Sequence, residues 1–279
     1  MSGTISATHS RQWLELPKVL LVASLTAILY SSAMAKLGGE YTSSHTFSYV
    51  FPVILLVCGL FYQRRKALFA IPRAPQNTGL WLIALASLAF LAGTLAAELF
   101  VTRLSLLLLA AGFSWTFWGF ARTRLLLPLL ALLASALPWP AILYNAVANP
   151  IENLLAKAAT ALAQPLGVNL YSDGSSIVMP NLSLTLADLC DALRCLPPLL
   201  IAGWLLTASR PVRLRLAALA LASFYLFAAI GARILATAAL ADGNPDRARD
   251  FYAWLAPWAV FLPGLALLWL AARWKMRAS

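Results

Sequence analysis

The sequence predicts an all-α polytopic membrane protein with about eight transmembrane helices and one small extracytoplasmic helix-hairpin segment. Three observations predict it. The chain is 61% hydrophobic, with a mean hydropathy of +0.79. Only 11% of its 279 residues are charged, less than half of the roughly 25% usual in a soluble domain. Apolar runs recur along most of the chain, and several reach the ~20 residues that a bilayer crossing needs. The net charge of +11 raises the question of nucleic acid. The basic residues, however, stand in short clusters between apolar runs, as in membrane loops, so no nucleic-acid partner is expected. Three cysteines, Cys58, Cys190 and Cys195, are too few for a disulfide framework. The first apolar run lacks a small-residue cleavage site, so no signal peptide is expected.

In chain order the apolar runs lie at roughly 18–36, 47–62, 79–97, 103–121, 125–144, 190–208, 213–239 and 252–272. Pro138-Trp139-Pro140 ends or bends the fifth. The expected organisation is a tail over 1–17, one transmembrane domain over 18–272, and a basic tail over 273–279. With the N-terminus inside, the cytoplasmic segments hold 14 of the 21 basic residues and the outer segments hold five. That bias predicts a multi-pass plasma-membrane protein with both termini cytoplasmic. Nine of the ten acids fall on or near the outer side.

One long segment, about 145–187, does not span and falls outside. In its first half Asn149 is placed as a helix cap with Pro150 at the first position. Ile151, Leu154, Leu155, Ala158, Ala159 and Leu162 then share a face, and Glu152, Asn153 and Lys157 fall elsewhere. This is an amphipathic helix for the outer interface. In its second half Asp173-Gly174, between short alternating runs, predicts a hairpin.

Two acids, two cysteines and an arginine crowd into "ADLCDALRC", residues 187–195. Cys190 is placed at the outer start of the sixth helix, where the helix dipole and water favour a thiolate. Arg194 follows one turn later, while Asp188 and Asp191 oppose the thiolate. The plainer reading is a small buried apolar cysteine beside a helix start. Cys190 and Cys195, five apart, point to different faces of that helix. Arg233 is placed about six positions inside the outer end of the seventh helix, ~9 Å into the apolar region. An arginine there either snorkels to the headgroups or faces a polar cavity or an anionic partner. In the third outer loop Arg249 and Asp250 precede Phe251, Tyr252 and Trp254, either as a site or as an aromatic belt. His45 is the only histidine beyond the N-terminal tail. No phosphate loop, paired-carboxylate site or zinc spacing appears, and neither cofactor nor metal is expected.

These motifs, in this order and all on the outer side, resemble those of the exosortase/archaeosortase family of membrane cysteine peptidase-transpeptidases. The resemblance runs from about residue 40 to 262. "SSHTFSYVFPVI" looks like the family's early Ser-His-Gly…Pro segment, with Thr46 where Gly is usual. "LCDALRC" resembles Ala-Cys-Ser-Gly-x-Arg-Ser; Cys190 and Arg194 match, and Asp191, Ala192 and Cys195 differ. "AIGARI" resembles Asn-x-x-Arg-Ile; Arg233 matches and Ile230 replaces Asn. "RDFYAW" resembles His-Asp-x-x-Gly-Trp; Asp250 and Trp254 match, Ala253 replaces Gly, and Arg249 stands where the family's catalytic His belongs.

The resemblance implies that a Cys190 thiolate cleaves the C-terminal sorting signal of exported proteins and passes the acyl group to an amine, another acceptor or water. It implies Arg233 and Arg249 as further catalytic residues, and Arg194, Asp250 and His45 as substrate-binding ones. The implied partners are secreted proteins carrying that signal, together with membrane lipids. The implied location is a bacterial inner membrane with the site facing the periplasm. Arginine stays charged and is no general base. Arg233 and Arg249 would support charge, and a water, Tyr252 or His45 would move the proton. Two other readings stay open: a degenerate member that binds sorting signals or assists export, and an unrelated transporter.

Overall fold

The computed structural model describes residues 5–167, 171–173, 176–179, 182–185, 191–254 and 257–273. The chain divides into two compact units, Met1–Glu40 and Tyr41–Ser279. The first is the greater part of α1 (Ile5–Ser43), which contains the first expected span.

The second unit is mainly helical. Its helices are α2 (Val50–Ala70), α3 (Gly79–Leu95), α4 (Leu99–Trp118), α5 (Phe120–Ser135), α6 (Ala141–Ala163), α7 (Leu196–Leu206), α8 (Val212–Gly243), α9 (Pro245–Trp254) and α10 (Pro257–Arg273). Among the described residues three segments are long and apolar enough to cross a membrane: His45–Ala70, Leu99–Trp118 and Val212–Ala241. Counting the pair α9–α10, bent by 49°, makes four, and α3 is a shorter apolar helix.

Backbones that approach closely build the α3–α4 hairpin. Small residues permit such contact between apolar helices, where no water-driven force holds them together. A Cβ on Gly79 would lie 2.7 Å from the Thr116 nitrogen, and one on Gly93 2.7 Å from the Thr102 nitrogen. At the α4–α5 junction Gly119 has φ +90, and a Cβ there would run into the Ala74 carbonyl, a position only glycine tolerates. The remaining core gathers α2, α5, α7, α8 and α10, with Leu132, Leu199, Leu226, Ile230 and Phe261 fully buried.

Prolines decide several boundaries. α5 stops at Ser135, ahead of Pro138 and Pro140, so the fifth run ends there and does not reach 144. α6 then begins at Ala141, eight residues before the expected cap at Asn149, because Pro140 opens it: the Tyr144 amide donates to the Pro140 carbonyl at 2.9 Å. Pro150 lies inside α6 on an exposed face. The Ala148, Glu152, Ala156, Ala159 and Ala163 stripe of α6 is buried, toward α8. Leu154 and Leu162 are exposed, as an interfacial helix requires.

The expected sixth helix is also corrected. Asp191–Cys195 is a 3-10 turn, and the α-helix starts at Leu196. Pro197 and Pro198 cannot donate to carbonyls four residues back, so they fit only the first turn of a helix. The third outer loop is in fact α9. Asn244 Oδ1 caps it by accepting from the Asp246 and Arg247 amides, each at 3.1 Å.

The predicted hairpin is present and gains a strand. β1 (Tyr171–Asp173), β2 (Ser176–Met179) and β3 (Leu182–Thr185) form an antiparallel sheet in that order. Asp173 pairs with Ser176 across the predicted turn. Ile177 has no exposed surface and joins the helical core.

Candidate active site around Arg233

The 3-10 turn Asp191–Cys195 buries Asp191, Ala192, Leu193 and Cys195. A clamp at Cys195 fixes it in place. The Cys195 thiol donates to the Pro257 carbonyl at 3.6 Å, tying the turn to the start of α10. The segment before α2 docks on the same helix: the Trp258 amide donates to Ser48 Oγ at 3.3 Å, and the Tyr49 and Phe261 rings lie 6.4 Å apart. The early "SSHTFSY" stretch and the turn after Cys190 therefore meet at one helix end, although about 140 residues separate them in sequence.

Arg233 stands on α8 between the buried Ile230 and Ile234 and is only 2% exposed. Ten residues separate it from the end of α8 at Gly243, rather than six, so it is deeper than its sequence position suggested. Its guanidinium does not snorkel. Nη1 donates to Asp191 Oδ1 at 2.6 Å, and Nη2 donates to the Tyr252 carbonyl at 3.0 Å. The Tyr252 ring lies 4.0 Å from the guanidinium carbon. An anion, a carbonyl dipole and a ring face thus surround a charge that alone would be costly to bury. Arg233 Nε is buried with no hydrogen-bond partner among the described residues.

Beside this cluster lies a cavity of about 230 Å³, lined by Tyr49, Tyr144, Ala148, Leu193, Arg194 and Leu196 among others. Arg194 supplies its charge. The guanidinium sits 3.9 Å from the Tyr144 ring centre and 5.4 Å from that of Phe47. Glu152, 5% exposed on α6, lies near enough to feel that charge. Burial raises its carboxyl above the usual carboxylate range, and Arg194 acts in the opposite direction.

The expected site residues therefore separate into groups. Arg233 and Arg194 come to opposite ends of the same buried turn. His45 opens a 3-10 turn two residues before Phe47, with its side chain exposed. Asp250 is exposed on α9. Cys190 and the side chain of Arg249 lie outside the described residues, as do those of Ala253 and Trp254.

Three residues were not anticipated in these roles. Asp191, expected only to oppose a thiolate, is the anionic partner of Arg233. Tyr144 and Glu152 complete the surroundings of Arg194. The available signal was one carboxylate and one arginine, each inside an apolar run, since opposite charges in such places seek each other.

No curated protein and no solved structure matches the chain. The family model for transmembrane exosortases matches residues 41–270. That span holds Arg233, Asp191, Tyr252, Arg194 and the cavity that Arg194 lines. A match over most of the chain's length, ending within three residues of the last described helix turn, makes the chain a membrane protein of the transmembrane exosortase family.

Proposed function

We propose that the protein is a membrane-embedded cysteine peptidase/transpeptidase that cleaves C-terminal sorting signals of exported proteins on the outer face of the plasma membrane. The observation that carries this reading is the buried Arg233, with Nε lacking a partner and Asp191, the residue next to Cys190, bound to Nη1. A fixed donor beside a nucleophile stabilises charge that develops during acyl transfer.

In the proposed reaction the Cys190 thiolate attacks the scissile carbonyl carbon. A C–S bond forms and the carbonyl oxygen becomes an oxyanion, for which Arg233 Nε is the available donor. Collapse breaks the C–N bond, and the amine leaves after taking a proton from water, Tyr252 or His45. An acceptor amine or water then resolves the thioester. Arg249 favours the thiolate by charge alone. Arg194 and the apolar cavity hold the segment next to the scissile bond, with Asp250 and His45 at the exposed rim. The proposed setting is a bacterial inner membrane, with both termini cytoplasmic and the site facing the periplasm.

The test is co-expression with a substrate from the same genome that carries such a signal, read as substrate mass. The native protein should process it, and Cys190→Ala and Arg233→Ala should not. Arg249→His should speed processing. Capture of the substrate without processing by the native protein would favour the second reading, a sorting-signal binder, for which the arginine at 249 is the supporting observation. Neither capture nor processing would refute both.

A further inference from the structure

A second charged groove lies at the far end of α8. From Arg233 to Val212 is 21 residues, about 30 Å along the axis at ~1.5 Å per residue, so this groove is separate from the candidate active site. It has a volume of about 290 Å³ and is lined by Thr207, Arg210, Leu214, Ala218, Leu221 and Ala271 among others. One wall is apolar and the other end is cationic.

Arg210 lines it; Arg213 adjoins the lining Leu214 in the chain, Arg215 is bonded to the Arg210 carbonyl, and Arg273 follows the lining Ala271 by two residues. Backbone contacts hold two of them. Arg210 Nη2 donates to the Ala272 carbonyl, which ties the α7–α8 turn to the last turn of α10. Arg215 Nε donates to the Arg210 carbonyl at 2.9 Å, and its Nη2 donates to the Ala208 carbonyl. Arg210 Nε is buried without a hydrogen-bond partner. Arg213 and Arg273 are exposed.

Among the described residues no carboxylate pairs with these charges. The chain has no Asp or Glu between Asp191 and Asp242, and none after Asp250. The four arginines form no ion pair among the described residues. Two exposed tryptophans mark the level of the groove: Trp204 lies 5.1 Å from the Arg215 guanidinium and Trp269 3.8 Å from that of Arg273. Tryptophan prefers the boundary between hydrocarbon and headgroups. A groove at that depth with an apolar wall and uncompensated guanidinium groups matches an amphiphile with an anionic head.

We propose that this groove is a binding site for an anionic phospholipid. Its phosphate sits among Arg210, Arg213 and Arg273, and one acyl chain lies against Leu214, Ala218 and Leu221. The site depends on neither Cys190 nor the proposed peptidase activity.

The test uses the purified full-length protein in neutral detergent, with lipid retention read by native mass spectrometry. Phosphatidylglycerol should be retained about tenfold or more over phosphatidylcholine. Arg213→Gln with Arg273→Gln removes two exposed charges that hold no backbone carbonyl. It should lower phosphatidylglycerol retention roughly fivefold per arginine, with the melting temperature unchanged. Arg210→Gln should lower it further. Equal retention of the two lipids would overturn the proposal, as would full retention by the double variant. Displacement of phosphatidylglycerol by inorganic phosphate at equal concentration would also overturn it, since the groove would then be a free-phosphate site.

Discussion

The α3–α4 hairpin and the cluster around Arg233 hold helices together in an apolar setting by opposite means. In the hairpin, Gly79, Gly93 and Gly112 remove side chains so that backbones touch, and the Trp115 indole adds a polar link by donating to Gln76 at 2.9 Å. At Arg233 the longest cation in the alphabet is buried, and three elements converge on it: the turn at Asp191, α8 itself and α9 at Tyr252. Shape complementarity of the first kind needs no particular atom to be charged and does no chemistry. The second kind leaves a buried donor in place, and that is the kind a reaction can use. The contrast teaches that cost of burial alone does not mark a site, since Arg103 on α4 and Arg122 on α5 are buried as well; what sets Arg233 apart is the set of separate elements that converge on its guanidinium.

The contrast breaks first at Arg233. Arg233→Ala removes the cation bound to the buried Asp191 carboxylate, and should destabilise the protein by about 3–5 kcal/mol in denaturation assays. Arg233→Met combined with Asp191→Leu should recover most of that loss while substrate processing stays absent. If the double variant is as unstable as Arg233→Ala, the ion pair is not what stabilises this end of the bundle.

Next comes the scaffold. Gly93→Ala forces a methyl against the Thr102 backbone and should lower stability by about 1–3 kcal/mol. Processing per folded molecule should be unchanged. An equal fall in processing would show that hairpin and site are coupled.

A smaller effect is expected at Arg194. Tyr144→Leu removes the closer of its two rings and should weaken the stack by about 1 kcal/mol, read as a rise in KM for the substrate with kcat held. A fall in kcat at constant KM would place Arg194 in the chemistry rather than in binding.

The smallest effect is at Glu152. Burial raises its folded-state pKa, so its contribution to stability is full at pH values below the ordinary glutamate range and is lost as pH rises through the folded value. Glu152→Gln should therefore raise the melting temperature at pH 7 by a few degrees and flatten the rise in stability that the native protein shows on acidification. A variant less stable than the native protein at pH 7 would mean that the ionised carboxylate pairs with Arg194.

Much of this was legible in the sequence, and for identifiable reasons. Apolar runs located the helices because their composition leaves no alternative, and Asp173-Gly174 located the hairpin because a two-residue turn has few solutions. Arg233 was legible as an anomaly. What escaped was pairing at a distance: nothing local in "LCDALRC" says that Asp191 reaches a side chain 42 residues away. Helix starts were misplaced where prolines compete. At Asn149-Pro150 the local cap signal was good, but Pro140 opened the helix earlier. At Cys190 the apolar run continued smoothly, and only Pro197 and Pro198 postponed the α-helix. The interfacial helix was legible as amphipathic, and its two apolar stripes differ in kind. The alanine stripe packs on protein with Leu155 beside it, and Leu154 and Leu162 stay exposed.

The ties of Arg233 also set an order of events during synthesis. Asp191 leaves the ribosome 42 residues before Arg233, and Tyr252 follows 19 residues later. When α8 enters the bilayer its arginine already has a waiting anion, which eases insertion of a segment otherwise penalised for that charge. The second tether, at Tyr252, arrives only with α9. A nascent chain is therefore insertable before it is complete at the centre, and the surroundings of Arg233 close only once α9 has been made.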